Sequence, residues 1–325
     1  MATAIKTREL IRLAGDGVTI RGTYHKVHDD GSEAGRFPRD RMGVVFLNGL
    51  SATRAGHGDA VVSWADSLAE RGYPSFRLDL PGCGDSAGDP PAQQLAVIDR
   101  GGYAPVLSVT IKELMARYNL AGVILAAHCS GTVSAIYTAA IASGCKGLVL
   151  MDPYFHHPQT MKPKIRVQLN LWSLRSRIGA PLRVLYDLHK VIRLFLRGKA
   201  LPENANVPLL RVWKGLASSG LPMLILQAPV RKAPVIKPRV GEFDYLKYLL
   251  SSSGRNWRVD AELIDGANHS FSDSLGRTAV RRQTERWLTA CFPLTEETGS
   301  DAKAQRTAPA MRNKEHKTLD QYIEV

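Results

Sequence analysis

The chain has 325 residues, 44% of them hydrophobic and 22% charged, the balance of a folded globular protein with a sizeable core. No apolar run approaches the roughly 18 residues that span a bilayer, and Met1 to Gly17 lacks the apolar segment of a secretory signal, so a cytoplasmic protein is expected. The net charge of +13 is unevenly placed: between His157 and Leu216 twelve basic side chains stand against Asp187 and Glu203 alone. Such a field suits an anionic small molecule or an acidic protein; no nucleic-acid motif accompanies it, so nucleic acid is not expected as a partner.

In chain order, Glu9–Ala14 and Val18–Val27 read as strands joined by the turn Gly15-Asp16-Gly17. Strand Gly43–Leu47, helix Asp59–Arg71 and strand Ser75–Leu78 follow, then a Gly/Pro/Asp-rich loop to Pro91 and a helical pattern around Val106–Tyr118. Strand Gly122–Ala126 leads into helix Thr132–Ala142, and strand Gly147–Met151 precedes the basic stretch, with its amphipathic segments Val167–Ile178 and Leu182–Leu196. Strand Met223–Gln227, helix Phe243–Leu250, strand Arg258–Leu263 and helix Ser274–Thr289 complete the pattern. Eight strands alternating with helices predict an α/β protein, a mostly parallel sheet covered on both faces. A core of residues 1–156 and 222–293 is expected, with 157–221 inserted after strand 6 as a basic helical lid. The polar tail 294–325 is expected to be disordered.

Four cysteines, Cys83, Cys129, Cys145 and Cys291, lie far apart without CxxC spacing, which disfavours a zinc site or a disulfide framework. Cys129 has a special context, Gly122-Val-Ile-Leu-Ala-Ala-His-Cys-Ser-Gly-Thr132, where an apolar strand runs straight into a helix. A nucleophile elbow needs small residues two positions before and after its centre. Centred on Cys129, these are Ala127 and Gly131; centred on Ser130, they would be His128 and Thr132, both too bulky. The register therefore selects Cys129, although an inert buried cysteine is the ordinary alternative at such a junction. A thiol at a helix N-terminus gains thiolate character from the helix dipole and free N–H groups. The N–H of Ser130 then becomes half of an oxyanion hole.

With this elbow, three further segments resemble the α/β-hydrolase superfamily, over nearly the whole length to about Pro293. The nearest likeness is to the serine-aminopeptidase-like hydrolases, including the exosortase-associated type. Leu47-Asn48-Gly49-Leu50 stands where the superfamily has His-Gly, and the resemblance implies that the N–H of Leu50 or Ser51 is the second oxyanion donor. Arg77-Leu-Asp79-Leu-Pro-Gly82-Cys-Gly84-Asp-Ser86 resembles the family's D-x-x-G-x-G-x-S turn, a structural support. Gly266-Ala-Asn-His269-Ser-Phe271, between the last strand and the last helix, marks His269 as the general base. Most relatives carry the acid after strand 7, where Met223-Leu-Ile-Leu-Gln-Ala-Pro offers none. Haloalkane dehalogenases and pancreatic-type lipases carry it after strand 6, where this chain has Met151-Asp152-Pro153. Asp152 is therefore the favoured acid, with Glu242 and Asp244 as alternatives. An acid only has to orient the imidazole and stabilise its charged form, which either strand end permits.

The resemblance implies an α/β-hydrolase fold with a lid, without cofactor or metal. Its first functional implication is an esterase or thioesterase acting through an acyl-cysteine. Cysteine elbows also occur in dienelactone hydrolases and polyhydroxyalkanoate synthases, so the residue does not fix the reaction. An acyltransferase drawing on CoA or an acyl-carrier protein at the basic lid is the second reading. A catalytically inactive binding protein is the third.

Overall fold

The computed structural model describes residues 8–27, 41–50, 52–157, 201–229, 243–251, 254 and 257–294. All of them fall within one compact unit, Met1–Leu294. The expected lid segments Val167–Ile178 and Leu182–Leu196, the candidate acid Glu242, the candidate donor Ser51 and the tail from Thr295 lie outside the described residues.

Eight strands form one sheet: β1 (Arg8–Gly15), β2 (Val18–His25), β3 (Met42–Leu47), β4 (Ser75–Leu78), β5 (Gly122–His128), β6 (Cys145–Met151), β7 (Met223–Gln227) and β8 (Val259–Leu263). Their spatial order is β1-β2-β4-β3-β5-β6-β7-β8. β1 pairs antiparallel with β2, and β2 antiparallel with β4; every later pairing is parallel. The helices are α1 (Ala60–Glu70), α2 (Gln94–Asp99), α3 (Ala104–Arg117), α4 (Ser130–Ile141), α5 (Val207–Ser218), α6 (Tyr245–Ser251) and α7 (Ser274–Cys291). No helix among the described residues is long and apolar enough to cross a membrane.

The central strands are apolar runs because both their faces are buried. Alternate residues then serve different cores. Val45, Leu47, Val123, Leu125, Ala127, Leu148 and Leu150 pack with α3, α4, α5 and α6 on one side. Val44, Phe46, Ile124, Ala126, Val149 and Met151 pack with α1 and α7 on the other. Two helices were not anticipated. α2 follows the Gly/Pro/Asp-rich loop and has no side-chain cap to announce it. α5 begins at the cap Asn206, whose side chain accepts the Leu209 N–H, and buries Leu209, Leu210, Trp213 and Ala217 against α4. That part of the expected insertion is a core helix; residues 158–200 lie outside the described residues.

Candidate active site

The parallel strands β3 to β8 deliver their carboxyl ends to one edge of the sheet, where open α/β folds gather functional loops. At that edge β5 ends at His128 and α4 begins at Ser130, so a single residue, Cys129, makes the whole turn. Cys129 has φ 51 and ψ −125, a left-handed conformation that a residue bearing a Cβ enters only under strain. The turn is pinned by the Cys129 N–H donating to Met151 O at 2.9 Å and by Thr132, whose N–H (3.0 Å) and hydroxyl (2.5 Å) both donate to Cys129 O. Gly131 is required by close approach, since a Cβ there would lie 2.6 Å from Leu47 O and 2.8 Å from Asn48. These contacts bear directly on register: the small position two residues after Cys129 meets the end of β3.

Asp152 follows β6 directly, itself at φ 48, with its N–H held by Leu226 O at 2.7 Å. Its carboxylate makes a short hydrogen bond to Nδ1 of His269. The Cys129 side chain lies close enough to act on the same ring. The Asp152 bond first, and the neighbouring Cys129 side chain second, push the His269 pKa up to about 10, so the ring stays protonated at neutral pH. Its side chain is 59% exposed and therefore open to a substrate. The loop that carries it is stitched by Asn268 and Asp273. Asp273 accepts N–H bonds from Asn268 (3.1 Å) and from Gly276 at the start of α7 (2.7 Å). The structure thus brings Cys129, His269 and Asp152 together. Asp244 is elsewhere employed, accepting the Lys247 N–H at 2.8 Å at the start of α6.

The oxyanion side has an unexpected detail. Ser130, as the first residue of α4, has an N–H without an intrahelical acceptor. Leu50 N–H does approach the same place, but it donates to the Ser130 hydroxyl at 2.6 Å. Asn48 takes the position of the family histidine and ties its own loop by donating to Thr53 O at 2.7 Å.

Other residues border the site. His128, buried just before the turn, uses its Nε2 to donate to His269 O at 2.8 Å, which fixes the proton on that nitrogen. Burial, ahead of all other causes, lowers its pKa to about 4, so the ring is neutral. It also lies edge-on to His57, with ring centroids 6.0 Å apart. Beyond Asp152, the Tyr154 hydroxyl donates to the buried Asp99 at 2.9 Å, and His157 Nδ1 stands 3.2 Å from the same carboxylate. Tyr154 is close enough to Cys129 to feel a charge on its sulfur. A bulky polar residue at the position before Cys129 was the one visible signal for His128. Nothing in the local pattern announced Asp99.

The D-x-x-G-x-G-x-S segment behaves as a support. Asp79 is fully buried and accepts from the N–H groups of Arg54 (2.6 Å) and Asp85 (3.1 Å) and from the Arg54 guanidinium. Cys83 is buried and accepts from Gln94 Nε2 at 3.0 Å, a packing role.

A strained one-residue turn between a central parallel strand and a helix, with an acid–histidine pair beside it, defines the α/β-hydrolase class. The sequence agrees: the alpha/beta hydrolase family profile matches residues 44–299, and the chain belongs to that family. No curated protein matches it in sequence. Among solved structures it is similar to the alpha/beta hydrolase GrgF from Penicillium sp. sh18, at 13% identity and TM-score 0.55, covering 89% of this chain and all of that one. It is also similar to the esterase Pf2001 from Pyrococcus furiosus, at 14% identity and TM-score 0.52, covering 87% and 91% of the two chains. Est1E from Butyrivibrio proteoclasticus, whose structure has ferulic acid bound, is similar at 13% identity and TM-score 0.51, covering 86% and 99%. At these identities the likeness is one of fold.

Proposed function

We propose that the protein is an acyl-group hydrolase of the esterase or thioesterase type, working through an acyl-Cys129 intermediate. The observation that carries this reading is His269, hydrogen-bonded to Asp152 through Nδ1 and standing close to the Cys129 side chain at the strained turn. The Cys129 sulfur, at the helix N-terminus with the imidazole beside it, is the nucleophile of this reading. The sulfur adds to the acyl carbonyl carbon, and the carbonyl oxygen takes the negative charge as a tetrahedral oxyanion. Collapse expels an alkoxide or thiolate, which receives the proton from the remaining ring nitrogen of His269. The neutral ring then removes a proton from water as its oxygen attacks the thioester. The second collapse releases the carboxylic acid and restores the thiolate–imidazolium pair. Asp152 holds the ring in one tautomer throughout and stabilises its charge.

Intact-mass analysis after mixing with p-nitrophenyl acetate tests the reading. A 42 Da acetyl adduct is expected to map to Cys129 and to accumulate when His269→Ala slows its hydrolysis. An adduct on Ser130, or none, would overturn it. Addition of an alcohol or amine during the same experiment tells whether the acyl group passes to water or to another acceptor.

A further inference from the structure

Resting on the acyl-cysteine reading, we infer that the Ser130 side chain is a donor to the oxyanion, so that the hole is built from one backbone N–H and one hydroxyl. Ser130 is 2% exposed. Its Oγ accepts the Leu50 N–H at 2.6 Å, and among the described residues its own proton goes to no acceptor. A buried hydroxyl normally donates as well as accepts. Here the missing acceptor is the substrate oxygen.

The geometry around Gly49 supports the assignment. A Cβ on that residue would lie 2.6 Å from Ser130 Oγ, 3.2 Å from Ser130 N and 3.3 Å from His128 O, so both potential donors of Ser130 lie side by side against Gly49, where only glycine fits. The Leu50 amide, committed to Oγ, does not need to reach the substrate. It orients the hydroxyl and polarises it, and the O–H then points its proton outward in an N–H→O–H→O⁻ chain. The charge on the oxyanion is thus shared between the Ser130 N–H and the Ser130 O–H, with Leu50 behind the second. The step transfers no proton: the hydroxyl keeps its hydrogen, and the negative charge returns to the departing group on collapse.

The test compares two reactions of the same sulfur in wild type and Ser130→Ala. Acylation by p-nitrophenyl acetate passes through an oxyanion, whereas alkylation by iodoacetamide displaces iodide and forms none. Loss of one oxyanion donor is expected to slow acylation about 100-fold and to leave alkylation within about 2-fold. The oxo-ester to thiono-ester rate ratio, taken within one preparation so that any unfolded fraction cancels, is expected to fall in Ser130→Ala, because a sulfur anion accepts hydrogen bonds poorly. Equal acylation by both proteins overturns the inference alone. Faster acylation by Ser130→Ala also overturns it, showing that the hydroxyl plugs the hole. A wild type that is never acylated overturns the acyl-cysteine reading, and this inference with it.

Discussion

Two polar clusters pack against the same sheet, and they are finished to different degrees. At the β2–β4 side, Arg8 pairs with Asp66, Asp66 accepts from His25 Nδ1 at 2.7 Å, and His25 Nε2 accepts from Arg77 at 2.7 Å. Arg77 also donates to Arg54 O at 3.0 Å, and Arg54 pairs with Asp79 and Asp85. Each group there has a partner of its own, and the backbone around it is relaxed on both strands. At the β5–β6 end the backbone is strained at Cys129 and Asp152, a histidine stands open to solvent, and a hydroxyl proton is undonated. A network that only holds the fold satisfies itself. One that meets a substrate leaves bonds for the substrate to complete.

Substitutions should separate the two clusters. The largest effect is expected from Cys129→Ala, which should abolish acyl-adduct formation while leaving the urea midpoint close to wild type. His269→Ala should lower turnover by about 10²–10⁴-fold, with only a modest fall in the midpoint, because the pairing it loses with Asp152 is more than half exposed on the histidine side. The reverse pattern is expected from Asp79→Ala. Removing this buried carboxylate leaves Arg54 without its inner partner and two loop N–H groups without an acceptor. Chemical denaturation should then show a loss of about 3–5 kcal/mol. Equal losses of stability from Cys129→Ala and Asp79→Ala would erase the contrast.

Acid should act on both clusters through their neutral histidines. Burial is the main cause lowering His25 and His128 to about 4, against an ordinary value of 6.5. The unfolded chain takes up protons first, so their stabilising contribution is present above pH 6.5 and is lost as pH falls from there through 4. Full titration of each is worth about 3 kcal/mol, measurable as urea midpoints against pH. Replacing His128 with Gln, which keeps a donor for His269 O, should flatten its share of that curve. The smallest effect is alkaline. His269 is raised to about 10, so the stability from its pairing with Asp152 is complete below pH 6.5 and fades as pH rises through 10. Its ring resonances should titrate near 10 in wild type and at lower pH in Asp152→Asn. Unchanged titration in that variant would deny the pair any role in holding the proton.

The main lines of the fold were legible because burial on both faces writes itself into runs such as Val123–Ala127 and Leu148–Met151. The position of the turn was legible as well, since Ala127 and Gly131 satisfy a local steric rule. The boundaries were less so: β5 extends to His128 and α4 starts at Ser130, closing a gap that the sequence pattern left between Ala126 and Thr132. α2 escaped because a short uncapped helix carries a weak periodic signal, whereas α5 has a capping Asn206, a proline in its first turn and an apolar face, and escaped because it lies at the end of the basic stretch expected to be a lid. The contacts that finish the site were the least legible. Ser130 meets Leu50 across 80 residues, and His128 meets His269 across 141, and both bonds depend on strand order rather than on any local pattern.

The turn at Cys129 has a consequence for chemical versatility. Its shape is set by Gly131 fitting under β3 and by main-chain bonds to Met151 and from Thr132, none of which involve the sulfur. The turn is therefore a socket indifferent to the atom it presents. Exchange of Cys129 for serine swaps sulfur for oxygen without asking the backbone to move. The fold would then hold a thiol or an alcohol at the same point, and the element there would decide which leaving groups can be displaced.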